Sequence, residues 1–169
     1  HVFPDGTLSS KRSAGAPDEA AIKASWEQIK AEERALRGDI GVLDSVPTGL
    51  PGLIRAQKLG KRASNVGFDW STASQVMAKV HEELAELEQA LSANDADNIN
   101  EEIGDVLFSI AQLGRHLGIN VEQSIQASNQ KFTARFKLME DIANDDLGNI
   151  TEPELEALWL KAKERLKLE

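Results

Sequence analysis

The chain has 169 residues, 41% of them hydrophobic, no cysteine, no tyrosine and a formal net charge of −9. That length predicts one domain with at most an extension, and no window is long and apolar enough for a membrane span or a signal peptide. The acidic balance counts against duplex nucleic acid as the main partner; the absent cysteines exclude disulfides and thiolate metal sites, with a reducing cytoplasm the simplest setting.

Long stretches favour Ala, Leu, Glu, Lys and Gln, so the expected class is all-α, a helical bundle. His1 to Ala16 is rich in Gly, Ser and Pro without any period. Residues 1–16 therefore read as a linker or tail, and 17–169 as the folded domain. From Pro17 to Arg37, Ile22, Trp26, Ile29 and Leu36 recur on one helical face, and Gly41 to Pro47 reads as a loop. A second helix starts near Leu50-Pro51, where the missing N–H of proline is harmless. It carries Leu53, Ile54, Gln57, Lys58, Lys61 and Arg62 and stops around Asn65 to Gly67. Phe68-Asp69-Trp70 forms an aromatic turn, and Thr72 with Gln75 resembles a capping box opening the next helix.

The most informative stretch runs from Val80 to Asp105. It holds two acidic clusters, Glu82-Glu83-x-x-Glu86 and Glu102-x-x-Asp105, on two helical patterns joined by the turn Ser92-Ala93-Asn94-Asp95. Residues three or four apart share a helix face, so Glu83 pairs with Glu86 and Glu102 with Asp105. The first helix has an apolar stripe of Val76, Val80, Leu84, Leu87 and Leu91, with Glu83 at its edge. The second has Ile99, Ile103, Val106, Ile110, Leu113 and Leu117, flanked by Glu102. Acids that only solubilise a helix lie opposite its stripe; several of these border it. If the turn folds one helix onto the other, four carboxylates converge, and a divalent cation is the usual remedy for their repulsion. Phe108 lies nearly opposite the Ile103–Ile110 stripe, which predicts burial on two sides and hence an identical subunit as partner.

Gly118-Ile119-Asn120 ends that helix, and Asn120 with Gln123 looks like another cap. The next helix, Val121 to about Asn144, stacks Ile125, Ser128, Phe132, Phe136 and Met139, bordered by Asn129, Lys131 and Arg135. Thr151-Glu152-Pro153-Glu154 caps a final helix with Leu155, Leu158, Trp159, Ala162 and Leu166 inward.

Every candidate ligand is a carboxylate oxygen, and hard oxygen sites suit Mg²⁺, Mn²⁺ or Ca²⁺. A di-iron bundle would place a Glu three residues before a His; neither His81 nor His116 has one. Mg²⁺ held by few protein ligands recruits phosphate oxygens, so the expected ligand is a phosphorylated metabolite. Its phosphate partners would come from Lys79, Lys58, Lys61, Arg62, Lys131 and Arg135. No P-loop motif is present.

The acidic pattern, with Ala56-Gln57-Lys58, Lys61-Arg62, Val66-Gly67-Phe68-Asp69-Trp70, Lys79 to Glu83, Glu102 to Phe108, Ala111 to Gly118 and Asn129-x-Lys131-Phe132-x-x-Arg135-Phe136, resembles the MazG nucleoside triphosphate pyrophosphohydrolases, relatives of the all-α dUTPases. The likeness covers roughly Trp26 to Lys163. The opening His1-Val2-Phe3 resembles the join between the tandem domains of long MazG proteins, which would make this the C-terminal one. The resemblance implies Mg²⁺-dependent hydrolysis of a nucleoside triphosphate to monophosphate and pyrophosphate, by water attack on the α-phosphorus. Glu83, Glu86, Glu102 and Asp105 would hold the metal, with Glu82 beside them or assisting an additional ion. Lys79, Lys131 and Arg135 would contact phosphate, Trp159, Phe68 or Trp70 the base, and the family's dimers agree with the reading of Phe108. Two rival functions stand beside it, a non-catalytic dimerisation module and a hydrolase restricted to dUTP or an alarmone.

Overall fold

The computed structural model describes residues 41–144 and 147–166, with Ser25 and Ile29. The expected tail over residues 1–16 and most of the helix expected over 17–37 lie outside the described residues. Ser25 and Ile29 are themselves helical and exposed. The chain divides after Ser45 into two units, and the second carries everything below. Among its described residues there are helices and turns but no strand: α1 (Gly52–Ser64), α2 (Ala73–Ala93), α3 (Ala96–His116), α4 (Val121–Ile142), a 3₁₀ turn (Leu147–Asn149) and α5 (Glu152–Arg165).

The helix ends are written locally. The Thr72 hydroxyl accepts from the Gln75 amide at 3.3 Å, while the Gln75 side chain accepts from the Ser71 amide at 2.8 Å. Asp95 caps α3 through the Asn98 amide at 3.2 Å, and Asn120 caps α4 through the Glu122 and Gln123 amides at 3.1 and 3.2 Å. Glu154 accepts from the Thr151 amide and hydroxyl at 3.0 and 2.6 Å, fixing the start of α5. Each cap satisfies amides that a helix N-terminus leaves without partners. Between α2 and α3, Asn94 takes a left-handed conformation, φ 54°, and Asp95 begins the next helix at once. So short a turn returns the chain antiparallel to itself, and α2 with α3 forms the most extensive helix pair.

The buried side chains are small. Val76, Val80 and Ala90 of α2, Ala111 of α3, Ala56 of α1 and Val121 of α4 are among them, and the two largest fully buried side chains are Gln112 and Val76. Gln112 is polar, and its burial requires partners for its amide. Its Nε2 donates to the Ala56 carbonyl on α1 at 2.7 Å, and its Oε1 accepts from Arg115 Nε at 2.8 Å. Arg115 in turn grips Asp69 with both terminal nitrogens, at 2.9 and 2.6 Å, and His116 Nε2 lies 2.9 Å from the same carboxylate. A chain of polar contacts thus runs from the α1 backbone through α3 to the turn that precedes α2. Gly60 lets α1 approach this close, because a Cβ there would collide with the Gln112 amide.

The expected apolar stripes need correction. Leu84 and Leu91 of α2 are 42% and 56% exposed, Ile103 and Ile110 of α3 are 46% and 39% exposed, and Leu117 just after it is 55% exposed. Of the expected α2 stripe Val76 and Val80 are buried, together with Glu83 and Ala90, while α3 buries Ser109, Ala111, Gln112 and Gly114. On α3 the buried face meets α1 and the start of α4, since Ala111 packs with Ala56 and Val121 and a Cβ on Gly114 would collide with Val121; the leucines and isoleucines named above stay outward. α4 is buried only near its ends, at Val121 and Met139. Its expected stripe residues Ile125, Phe132 and Phe136 are exposed, and on α5 Ala162 alone is buried.

Arg115 chiefly, with His116, holds the Asp69 carboxyl well below the usual carboxylate range, against a smaller opposing effect of desolvation. A depressed carboxylate contributes stability that is present above its unfolded pKa and lost as pH falls toward the folded one. Asp69→Asn is therefore expected to lower stability at neutral pH by about 1–2 kcal/mol, with the difference from the parent shrinking below about pH 4. Denaturant unfolding across pH measures both. Gly60→Ala should cost about 1–3 kcal/mol by overpacking against Gln112; a neutral result would mean that the glycine is not needed for the helix approach.

Candidate metal centre

The α2–α3 hairpin brings carboxylates from both helices together. One oxygen from each of Glu83, Glu86 and Glu102 lies within 4.8 Å of the others. Glu83 is only 5% exposed. Lys79, one turn earlier, holds Glu83 Oε1 at 2.9 Å and Glu82 Oε1 at 2.6 Å. That contact explains how a buried Glu83 is tolerated, and the two carboxylates raise the Lys79 pKa well above its ordinary value. Hydrogen bonding with Glu83, then desolvation and the charges of Glu83 and Glu102, pushes the Glu86 carboxyl up. Desolvation first, then Glu83 and Asp105, pushes Glu102 up. Three negative groups share one ammonium, so the site retains an excess of negative charge.

One atom tests whether a cation fits. Glu102 Oε2 is buried and has no hydrogen-bond partner. A buried carboxylate oxygen without a donor is costly, and it sits in a group made wholly of hard oxygen donors. That donor set matches Mg²⁺, Mn²⁺ or Ca²⁺. Asp105 is exposed and outside the trio, although near enough to raise Glu102. Glu82 points outward, its side chain 57% exposed.

The remaining sequence candidates fall into two other places. Arg135 lies over the Trp159 ring, 5.6 Å from its centroid, and Phe132 sits 5.3 Å from the same ring. Arg135 Nε is buried without a partner, and Lys131 is exposed one turn away on α4. Lys58 and Lys61 line a pocket with Arg115 and Gly118. Thirteen residues separate Arg115 from Glu102, about 20 Å along the α3 axis, so this chain does not bring those lysines to the acidic trio. Arg62 is half-buried on the same helix. Sequence reasoning gave no role to the Asp69–Arg115–His116–Gln112 network. Its signal was faint: a lone acid between two aromatics, and an arginine in the last turn of a helix.

Divalent cations should raise the melting temperature of the parent. Glu102→Gln should be at least as stable as the parent in EDTA, since it removes a repelling charge, yet gain little from Mg²⁺. Because the Glu86 and Glu102 carboxyls keep their protons to higher pH, cation binding should weaken on acidification starting above the usual carboxylate range, about pH 4.3. Thermal melts with and without Mg²⁺ at several pH values measure this; equal stabilisation of the Glu102→Gln variant would remove the assignment.

Residues 71–152 match the family model of the MazG nucleotide pyrophosphohydrolase domain, a span that contains the whole acidic hairpin. The chain is 39% identical over 168 residues to the Nucleoside triphosphate pyrophosphohydrolase of Escherichia coli strain K12, an alignment covering 96% of this chain and 61% of that protein. It is 37% identical over 141 residues to the Nucleoside triphosphate pyrophosphohydrolase/pyrophosphatase MazG of Thermotoga maritima, covering 82% of this chain and 54% of that one. The Uncharacterized protein YabN of Bacillus subtilis is 36% identical over 168 residues, covering 97% of this chain and 32% of the relative. The chain thus spans less than two thirds of the length of each of these relatives. With the carboxylate hairpin inside the matched span and two similar proteins named for this family's activity, the chain belongs to the MazG family.

Proposed function

We propose that this chain hydrolyses nucleoside triphosphates, ribo- or deoxyribo-, to the nucleoside monophosphate and pyrophosphate, with Mg²⁺ or Mn²⁺ held by Glu83, Glu86 and Glu102 and approached by Asp105. The observation that carries this reading is the unpartnered Glu102 oxygen within a three-carboxylate group of a MazG domain. Held by these acids, a divalent cation would supply positive charge that offsets the charge developing on the substrate phosphates.

The side chains divide the remaining work. Lys79 fixes Glu83 from one side and leaves its other oxygen to the site. A carboxylate of the cluster takes a proton from water, the water oxygen forms a bond to the α-phosphorus, and the bond from that phosphorus to the β-bridging oxygen breaks. Pyrophosphate leaves with that oxygen. Glu82 stays beside Lys79 and supports the ligands. Lys131 and Arg135 supply positive charge to the phosphates, and Trp159, framed by Phe132 and Arg135, offers a face to the base.

The functional unit is a homodimer. Leu84, Leu91, Ile103, Leu107, Phe108 and Ile110 are all more than a third exposed, and so much apolar surface on a single chain calls for a partner. A second copy would also place Lys131, Arg135 and Trp159 of one chain near the acids of the other. The cysteine-free composition suits a reducing cytoplasm, and no helix among the described residues is long and apolar enough to cross a membrane.

Chromatography of NTPs and dNTPs after incubation with Mg²⁺ or EDTA tests the activity. Metal-dependent monophosphate plus pyrophosphate is expected; diphosphate plus orthophosphate would make the chemistry wrong, and no turnover would favour a dimerisation scaffold. Turnover confined to dUTP would narrow the substrate class. Phe108→Glu should shift the dimer toward monomer in sedimentation velocity.

A further inference from the structure

We propose a second anion site, for a diphosphate group, in the basic pocket between α1 and the α3–α4 connection. The pocket has a volume of about 350 Å³ and is lined by Lys58, Lys61 and Arg115, with Ile54 and Ile119 as apolar wall and Asn120 at the rim. No carboxylate lines it, although the chain holds 28 acidic residues against 19 basic ones. Lys58 and Lys61 stand three residues apart and so share one helix face. Among the described residues neither makes an ion pair. Two ammonium groups on one wall of a concavity, neither paired with a carboxylate among the described residues, repel one another, and a polyvalent anion between them relieves that repulsion.

The polar atoms around them favour an anion over a cation. The Ile119 carbonyl already accepts from Gln57 Nε2 at 2.7 Å. Asn120 Oδ1 is taken by the α4 amides, which leaves its NH₂ as a donor. The α4 amides are therefore capped, and the lysines rather than the helix end supply the attraction. Arg115 is committed to Asp69 and adds rigidity more than free charge. A volume of about 350 Å³ admits a diphosphate with room to spare, and the two isoleucines offer an apolar surface for whatever the diphosphate is attached to. The site lies about 20 Å along α3 from Glu102 and needs no metal. It does not rest on the hydrolase reading.

The probes are sodium pyrophosphate and ADP, titrated calorimetrically into the full chain in EDTA, where the acidic trio repels anions and no turnover occurs. Saturable binding is expected, weakening as salt rises. The double variant Lys58→Gln/Lys61→Gln should lose at least about tenfold in affinity, while Lys137→Gln, a lysine elsewhere on α4, should not. Both lysines of the pocket are exposed, so the variant is expected to fold; its melting curve without ligand should overlay the parent's. Pyrophosphate should also raise the parent melting temperature by linkage, and not the variant's. Tighter binding of ADP than of pyrophosphate would assign a nucleotide as the occupant; the reverse would assign the free anion. Absence of saturable binding of either probe, or equal affinity in the double variant, would overturn the proposal. A chain that binds in EDTA yet never hydrolyses a triphosphate would uphold this site and sink the activity reading alone.

Discussion

Mutual repulsion among Glu83, Glu86 and Glu102 is the constraint on which the rest of this structure depends. One carboxylate is buried, one keeps an oxygen buried without a donor, and a single lysine offsets the group. Left alone, such a cluster would push α2 and α3 apart. The helices stay together because α2 buries Val76, Val80 and Ala90, α3 is anchored on α1 through Ala111 and Gln112, and the chain turns tightly through Asn94. The chain thus invests packing energy in holding like charges close, an arrangement that suits a cation better than it suits stability.

The acids are only as well placed as the register between α2 and α3, and that register is pinned at the far end of the hairpin. Gln112 ties α3 to the α1 backbone, Arg115 ties α3 to Asp69, and Asp69 sits four residues before α2 begins. A slip of either helix would break the two-pronged Arg115 contact. Clamp and carboxylates therefore act as two ends of one lever. Both are built from polar side chains, of which only Glu83 and Gln112 are buried.

Much of this was legible in the sequence. Thr72, Asn120 and Thr151 announce helix starts because capping is a contact among neighbours in the chain. The acidic spacing put Glu83 and Glu86 together for the same reason, whereas Asp105, spaced to share a face with Glu102, is exposed and outside the trio. Periodicity could not say which side of an apolar helix meets which neighbour. Leu84, Leu91, Ile103 and Ile110 form regular stripes and still face outward, whereas Ser109 and Gln112 are buried. The decisive quantity was residue size, since small residues set how near two helices can come. The Asp69–Arg115 clamp joins residues 46 apart, and no local pattern marks such a pair. Lys58 and Lys61 read as phosphate contacts by charge alone; their distance from Glu102 along α3 emerges only once α1 is docked on that helix.

The central claim is that the converging carboxylates direct water to the α-phosphorus of a nucleoside triphosphate. Hydrolysis in ¹⁸O-labelled water, with both products analysed by mass spectrometry, tests it most directly. The account predicts that the label enters the nucleoside monophosphate and is absent from pyrophosphate, and that Glu83→Gln abolishes the Mg²⁺-dependent label. Label in pyrophosphate or orthophosphate, or undiminished labelling in that variant, would contradict it.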